Sequence, residues 1–226
     1  MSFSEKVIDF NKNLKFSDKL PKGYLVLNPF IENIETLEIM QNFYKKFYND
    51  NIKRKFIIGI NPSRHGAGVT GVPFTDTKRL FSECGIKMNS AHTHELSSVF
   101  MYDMIAKYGG VHKFYSNFYI NSPFPLAIVR EKEKGKFLNA NYYDDKTLFS
   151  MLKSYMIYTM NMHFSFGLEN SEVIILGKKN AEFLKLINKE AKLFDKSTIL
   201  EHPRYIMQYK SKNKNEYIDK YLNVLL

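Results

Sequence analysis

A single cysteine, Cys84, stands among 226 residues. No disulfide can close within the chain, which fits a reducing compartment. One thiol also excludes an iron–sulfur cluster held by four thiolates. No stretch approaches the roughly 18 uninterrupted apolar residues of a membrane span. The opening run, Met-Ser-Phe-Ser-Glu-Lys-Val-Ile-Asp-Phe, lacks a long apolar core and a small-residue cleavage site, so no signal peptide is expected. A cytoplasmic protein is the simplest expectation. The glycine loop at residues 66–71 lacks the Gly-Lys-Ser/Thr ending of a P-loop, which argues against nucleoside triphosphate binding. His92, His94 and Glu95 resemble a metal cluster only superficially, because no second group stands at ligand spacing. No metal and no cofactor is expected. There is no internal repeat and no low-complexity linker.

What is present is a folded, basic chain. Apolar residues make up 44% and aromatic residues 15%, far from a disordered composition. The length favours one domain, residues 1–226, with a substantial core. Net charge is +10. An excess of that size points to a polyanion, most simply nucleic acid, although lysine-rich surfaces also occur without such a partner.

Periodicity predicts alternating helices and strands. Phe3, Val7, Phe10 and Leu14 have helical spacing, and residues 24–30 read as a short extended segment. A helix is expected over Thr36–Tyr48 and a strand over Lys55–Ile60. Asp76 and Thr77 can cap a helix that Gly85 stops near Cys84. Further helices are expected over Leu96–Tyr108, within Asn141–Phe164 from about Asp144 or Asp145, over 179–191, and over Glu216–Leu226. Strands are expected in the second half of Phe114–Asn121, over Val173–Leu176 and over Thr198–Glu201. Val129–Lys136 reads as a mixed-charge solvated turn. Alternation of this kind implies an α/β fold with a parallel sheet and right-handed crossovers. The first 50 residues are helical in part and less diagnostic.

The most informative stretch runs from Phe56 to Asp76. A buried strand ends at Asn61-Pro62, where proline stops the pairing. The loop that follows carries Gly66, Gly68 and Gly71 and closes on Val72-Pro73-Phe74. Ligands of open α/β sheets bind beyond the carboxyl ends of strands, where such loops lie. Backbone N–H groups unobstructed by a Cβ, a side-chain amide and an aromatic face together suit a planar hydrogen-bonding ring such as a nucleobase.

The blocks Gly59-Ile60-Asn61-Pro62 and Thr70-Gly71-Val72-Pro73-Phe74 resemble the first active-site motif of the uracil-DNA glycosylase superfamily. They are most similar to the bacterial sister group of the single-strand-selective monofunctional uracil-DNA glycosylases. Phe118-Tyr119-Ile120-Asn121 resembles the strand end whose asparagine reads uracil, and Ile199-Leu200-Glu201-His202-Pro203 the second catalytic motif. The resemblance spans roughly residues 55 to 225. It implies a three-layer αβα fold around a short four-stranded parallel sheet. It also implies hydrolysis of the bond between uracil and deoxyribose in single- or double-stranded DNA, leaving an abasic site. No lysine is placed by motif to form a Schiff base, so a monofunctional enzyme is expected. Nothing demands more than a monomer. A catalytically silent DNA-binding module on the same fold is the alternative, and an enzyme acting on free nucleotides a third.

The resemblance assigns roles residue by residue. Asn61 positions the water, where other branches of the family place an aspartate. His202 hydrogen-bonds the uracil carbonyl as charge builds. Asn121 reads the base edge and Phe74 stacks on its ring, with Gly59, Ile60 and Ser63 completing the base pocket. Each has a plainer explanation: Asn61 and Asn121 as turn residues, His202 as a satisfied core histidine, and Phe74 as one of 19 phenylalanines. Arg64, His65, Thr70, Arg204, Tyr205 and Lys210 are expected to meet DNA, with Arg204 or Tyr205 as the wedge that fills the vacated stack. After His202-Pro203 the chain lacks the serine usual in the family. Ser63-Arg64-His65 also departs from the glycine-rich vertebrate form, which leaves acceptance of 5-substituted uracils open.

Overall fold

A computed structural model describes residues 1–226. Helix α1 (Phe3–Asn13) is closed by a capping box in which Ser2 and Glu5 satisfy each other's backbone N–H groups. Strand β1 (Tyr24–Leu27) is shorter than the predicted 24–30 segment. Asn28 accepts from the Phe30 N–H and Pro29 takes the first helical position, so helix α2 (Pro29–Glu32) begins there. Helix α3 (Ile34–Phe47) leads into β2 (Lys55–Ile58), two residues shorter than the apolar run. The glycine loop holds one helical turn, α4 (Ala67–Thr70), and Asp76 caps α5 (Thr77–Ser82) as expected. Helix α6 (Leu96–Tyr108) precedes α7 (Val111–Asn117), a helix in the half of the aromatic segment left unassigned by sequence, and then β3 (Phe118–Asn121).

Residues 127–140 correct one expectation outright. The mixed-charge stretch is no simple turn but a hairpin of β4 (Ala127–Glu133) and β5 (Lys136–Ala140). Its outer half is solvated, from Arg130 to Lys136, with Gly135 at the tip in the left-handed region at φ 77. With β1 it forms a three-stranded antiparallel sheet, order β1-β4-β5. The chain closes with α8 (Lys146–Ser165), β6 (Glu172–Leu176), α9 (Lys178–Ala191), β7 (Lys196–Leu200), α10 (Pro203–Tyr209) and α11 (Lys214–Leu225). No helix is long and apolar enough to cross a membrane.

The second sheet has four strands in the order β3-β2-β6-β7, all parallel. Helices cover both faces, giving the three-layer αβα arrangement. Residues such as Phe56, Ile58, Val173 and Ile175 are almost fully excluded from solvent, which is why these strands read as unbroken apolar runs. The first 50 residues belong to the same core. Phe3 packs on Tyr48, Tyr119 and Phe166. It also covers the guanidinium of Arg54, which is buried, bonded to both Asp50 carboxylate oxygens at 2.8 Å and to the Tyr115 carbonyl at 2.7 Å. A buried cation with paired and satisfied hydrogens is tolerated; one without them is not.

Candidate active site

Strand order 2-1-3-4 in sequence terms creates a switch point between β2 and β6, where connections leave in opposite directions. The carboxyl ends of β2, β3 and β7 open there into a cleft of about 470 Å³. Asn180 of α9 seals its floor: the side-chain Nδ2 donates to the carbonyls of Ile58, Gly59 and Leu176, and Tyr142 donates to its Oδ1. The cleft is lined by Gly59, Ile60, Asn61, Ser63, Phe74, Asn121, His202, Arg204 and Tyr205, nine residues singled out from sequence.

Asn61 is held at both ends of its amide. Nδ2 donates to the carbonyls of Ala140 at 3.0 Å and Pro62 at 3.3 Å, and the Tyr142 N–H donates to Oδ1 at 3.1 Å. These partners fix the orientation and leave one lone pair on Oδ1. Asn121 ends β3. It donates through Nδ2 to the Tyr119 hydroxyl at 2.7 Å and accepts from the Ser122 N–H at 2.9 Å, which leaves one N–H and one lone pair.

Phe74 sits at φ 53, a region that a bulky L-residue seldom occupies. The turn is forced from below. The buried Thr70 hydroxyl donates to the Thr75 carbonyl at 2.7 Å and accepts from the Val72 N–H at 3.2 Å. The ring then lies against Gly59, where a Cβ would approach it to 3.0 Å, tight enough that a larger residue would have to push the ring aside. It also tilts over His202, ring centroids 5.5 Å apart.

His202 follows β7 and caps α10. Its Nδ1 accepts from the Arg204 N–H at 3.1 Å, so in the neutral ring the proton is on Nε2. Desolvation, with the Arg204 charge adding to it, pushes its pKa down to about 4. The imidazole is therefore neutral at pH 7. Helix α11 steadies this turn: the Tyr221 hydroxyl donates to the Glu201 carbonyl at 2.5 Å and Lys220 pairs with its carboxylate at 3.0 Å.

The uracil DNA glycosylase superfamily matches residues 45–226. The chain belongs to that superfamily. A crystal structure of wild-type SMUG2 from Pedobacter heparinus is similar over 99% of this chain and 97% of that one, with 45% identity and a TM-score of 0.96. No curated protein matches the chain. Membership places it among the DNA glycosylases, hydrolases of base excision repair that act on DNA.

Within this glycosylase frame some expected contacts change. Thr70 is fully buried and its hydroxyl is spent on the Val72–Thr75 turn, so it shapes the loop and does not reach DNA. Ser63 lines the cleft, but its hydroxyl donates to Glu95 Oε1 at 2.6 Å and accepts from the His65 and Gly66 N–H groups, leaving nothing for a base. Arg64, His65 and Lys210 do not line the cleft. Arg64 Nε bonds His65 Nε2 at 3.2 Å on the flanking loop, and Lys210 is exposed just beyond α10. His94 turns to Arg79 and Asp76, not towards Glu95 as a ligand group would.

Sequence reasoning missed several wall residues. Glu95 places a carboxylate in the cleft and pins the glycine loop through Ser63. Asn139, Ala140, Asn141 and Tyr143 arrive with the unexpected hairpin, and Gln208 and Tyr209 with α10. Two signals were available. Gly135 stands between the apolar runs Ala127-Ile128-Val129 and Phe137-Leu138, as at a hairpin turn, and His202-Pro203 is a capping residue before a first-turn proline.

Proposed function

We propose that the protein is a monofunctional uracil-DNA glycosylase, acting as one domain over residues 1–226 and as a monomer. The observation that carries this reading is the convergence of Asn61, Asn121, Phe74 and His202 on one cleft. Uracil flipped from the stack enters that cleft and lies on Phe74. Asn121 offers an N–H and a lone pair to the uracil edge, a pattern that cytosine does not match.

As the N-glycosidic bond breaks, its electron pair moves onto the base. The neutral His202 presents Nε2–H to the base carbonyl and stabilises that charge; a donor of this kind is worth about 10²–10³ in kcat. Asn61 Oδ1 holds a water at the sugar carbon. The water oxygen bonds to the cation-like sugar and loses a proton, and the departing uracil anion takes one up. An amide is a weak base, which suits a step in which the sugar already carries positive charge. Arg204 and Tyr205 flank the opening as candidates to fill the vacated stack. Arg64, His65 and Lys210, outside the cleft, are the candidates to meet phosphates, and a cytoplasmic site of action is in keeping with the single thiol.

The test is alkaline strand cleavage of a labelled oligonucleotide containing one uracil. Native protein is expected to convert it, while Asn61→Ala and His202→Ala each fall by a factor of about 10² or more. Native protein that retards the oligonucleotide but releases no base would sink the catalytic reading and favour a binding module.

A further inference from the structure

Asn121 is held by a chain of buried polar groups ending in a residue that the proposed chemistry never touches. The Tyr119 hydroxyl, which accepts from Asn121 Nδ2, lies 3.3 Å from His163 Nδ1. Tyr119 stands two residues before Asn121 on β3 and so faces the same side of the strand. His163 comes from α8 and is fully buried among Phe10, Phe56 and Phe166. Its Nε2 has no hydrogen-bond partner. An imidazole in an aromatic cage with one nitrogen unpaired is a poor packing choice, so it calls for another explanation.

The hydrogen bonds of the Asn121 amide have only one consistent direction. The Ser122 N–H can only donate, so the Asn121 atom it meets is Oδ1. The NH₂ end then faces Tyr119, whose oxygen accepts. The Tyr119 proton is thereby sent elsewhere: His163 Nδ1, 3.3 Å away, and the Tyr44 hydroxyl are the groups that can receive it. An Nδ1 that receives it belongs to a neutral ring with its proton on Nε2, in keeping with burial that pushes the His163 pKa down to about 3.

We propose that Tyr119 donates to His163 Nδ1 and that the two are positioning residues that lock the Asn121 amide in one orientation and thereby set selection of uracil over cytosine. The selection part rests on the glycosylase reading above. An amide turned by 180° would offer cytosine the pattern it needs. The lock forbids that turn, because it would set Oδ1 against the Tyr119 lone pairs and NH₂ against the Ser122 N–H.

Three variants test this: Tyr119→Phe, His163→Leu, and His163→Asn, whose Oδ1 can replace Nδ1 as acceptor. The readout is the ratio of kcat/KM for uracil over cytosine in matched single-stranded oligonucleotides. Tyr119→Phe and His163→Leu should lower the ratio about tenfold, the worth of one buried hydrogen bond, and His163→Asn should restore it. A merely structural loss lowers both rates and leaves the ratio alone. Independently, imidazole ¹⁵N NMR of the native protein should show His163 Nδ1 bare and accepting. A protonated Nδ1, or an unchanged ratio in both Tyr119→Phe and His163→Leu, overturns the proposal. If the native protein releases no uracil, the glycosylase reading falls, while the tautomer still decides the lock.

Discussion

His202 shows how one backbone contact settles the chemistry of a side chain. The Arg204 N–H takes Nδ1, desolvation keeps the ring neutral, and Nε2–H is left as a donor. An imidazolium would bind an anion more tightly, but holding it in this site costs too much solvation. The pH dependence follows. With a folded pKa near 4, the ring does not titrate near its usual 6.5. A plot of kcat/KM against pH is expected to show no inflection from His202 near neutrality and to fall only as pH approaches about 4. A fall centred on pH 6.5 that vanishes in His202→Ala would contradict this assignment. Asn61 and Asn121 were legible in the sequence as candidates, because one follows an apolar strand run and the other ends one. What their amides bond to was not legible: Ala140, Tyr142 and Ser122 contribute backbone groups, which carry no side-chain signature.

At the scale of elements, the switch-point crevice depends on α9 meeting β2 and β6. Asn180 makes that junction, giving Nδ2 to three carbonyls and receiving the Tyr142 hydroxyl at 2.5 Å. Asn180→Ala would strand buried acceptors, each costing about 1–3 kcal/mol if left unpaired. A loss of about 2–4 kcal/mol is expected from urea unfolding, with lower base release as the floor loosens. An unchanged unfolding midpoint would show that the junction is held by packing alone. The hairpin matters in the same way, since Ala140 and Asn139 reach the glycine loop from it. Its sequence hid it. Solvated strands with charges on both faces give no hydrophobic alternation, and the pairing of β4 with β1 spans about a hundred residues.

For the whole molecule, two of the six histidines are kept neutral by desolvation, His163 inside the core and His202 in the cleft. Both have folded pKa values below the ordinary 6.5, near 3 for His163 and 4 for His202. Below pH 6.5 the unfolded chain binds protons there and the folded chain does not, so stability rises with pH across that window. Stability should be level in this respect above about 6.5 and decline as pH falls towards 4. Urea midpoints at pH 7.5, 5.5 and 4.5 check this, and His163→Asn, if it folds, should make the decline shallower. A midpoint constant from pH 7.5 to 4.5 would exclude these titrations as a source of acid lability.

Much of this protein was determined locally. The longer helices, the four short parallel strands, the caps at Asp76 and Asp145 and the places of Asn61, Asn121 and His202 at or just past strand ends follow from residue types at short spacing. Periodicity and capping act within a few residues and leave their mark in order along the chain. Only the tertiary structure decided that Thr70 shapes a turn, that Ser63 is silenced by Glu95, and that β1 joins a hairpin to wall the cleft. Those outcomes depend on which backbone groups from distant segments arrive unpaired at one place, and a buried donor or acceptor must be met wherever the fold leaves it.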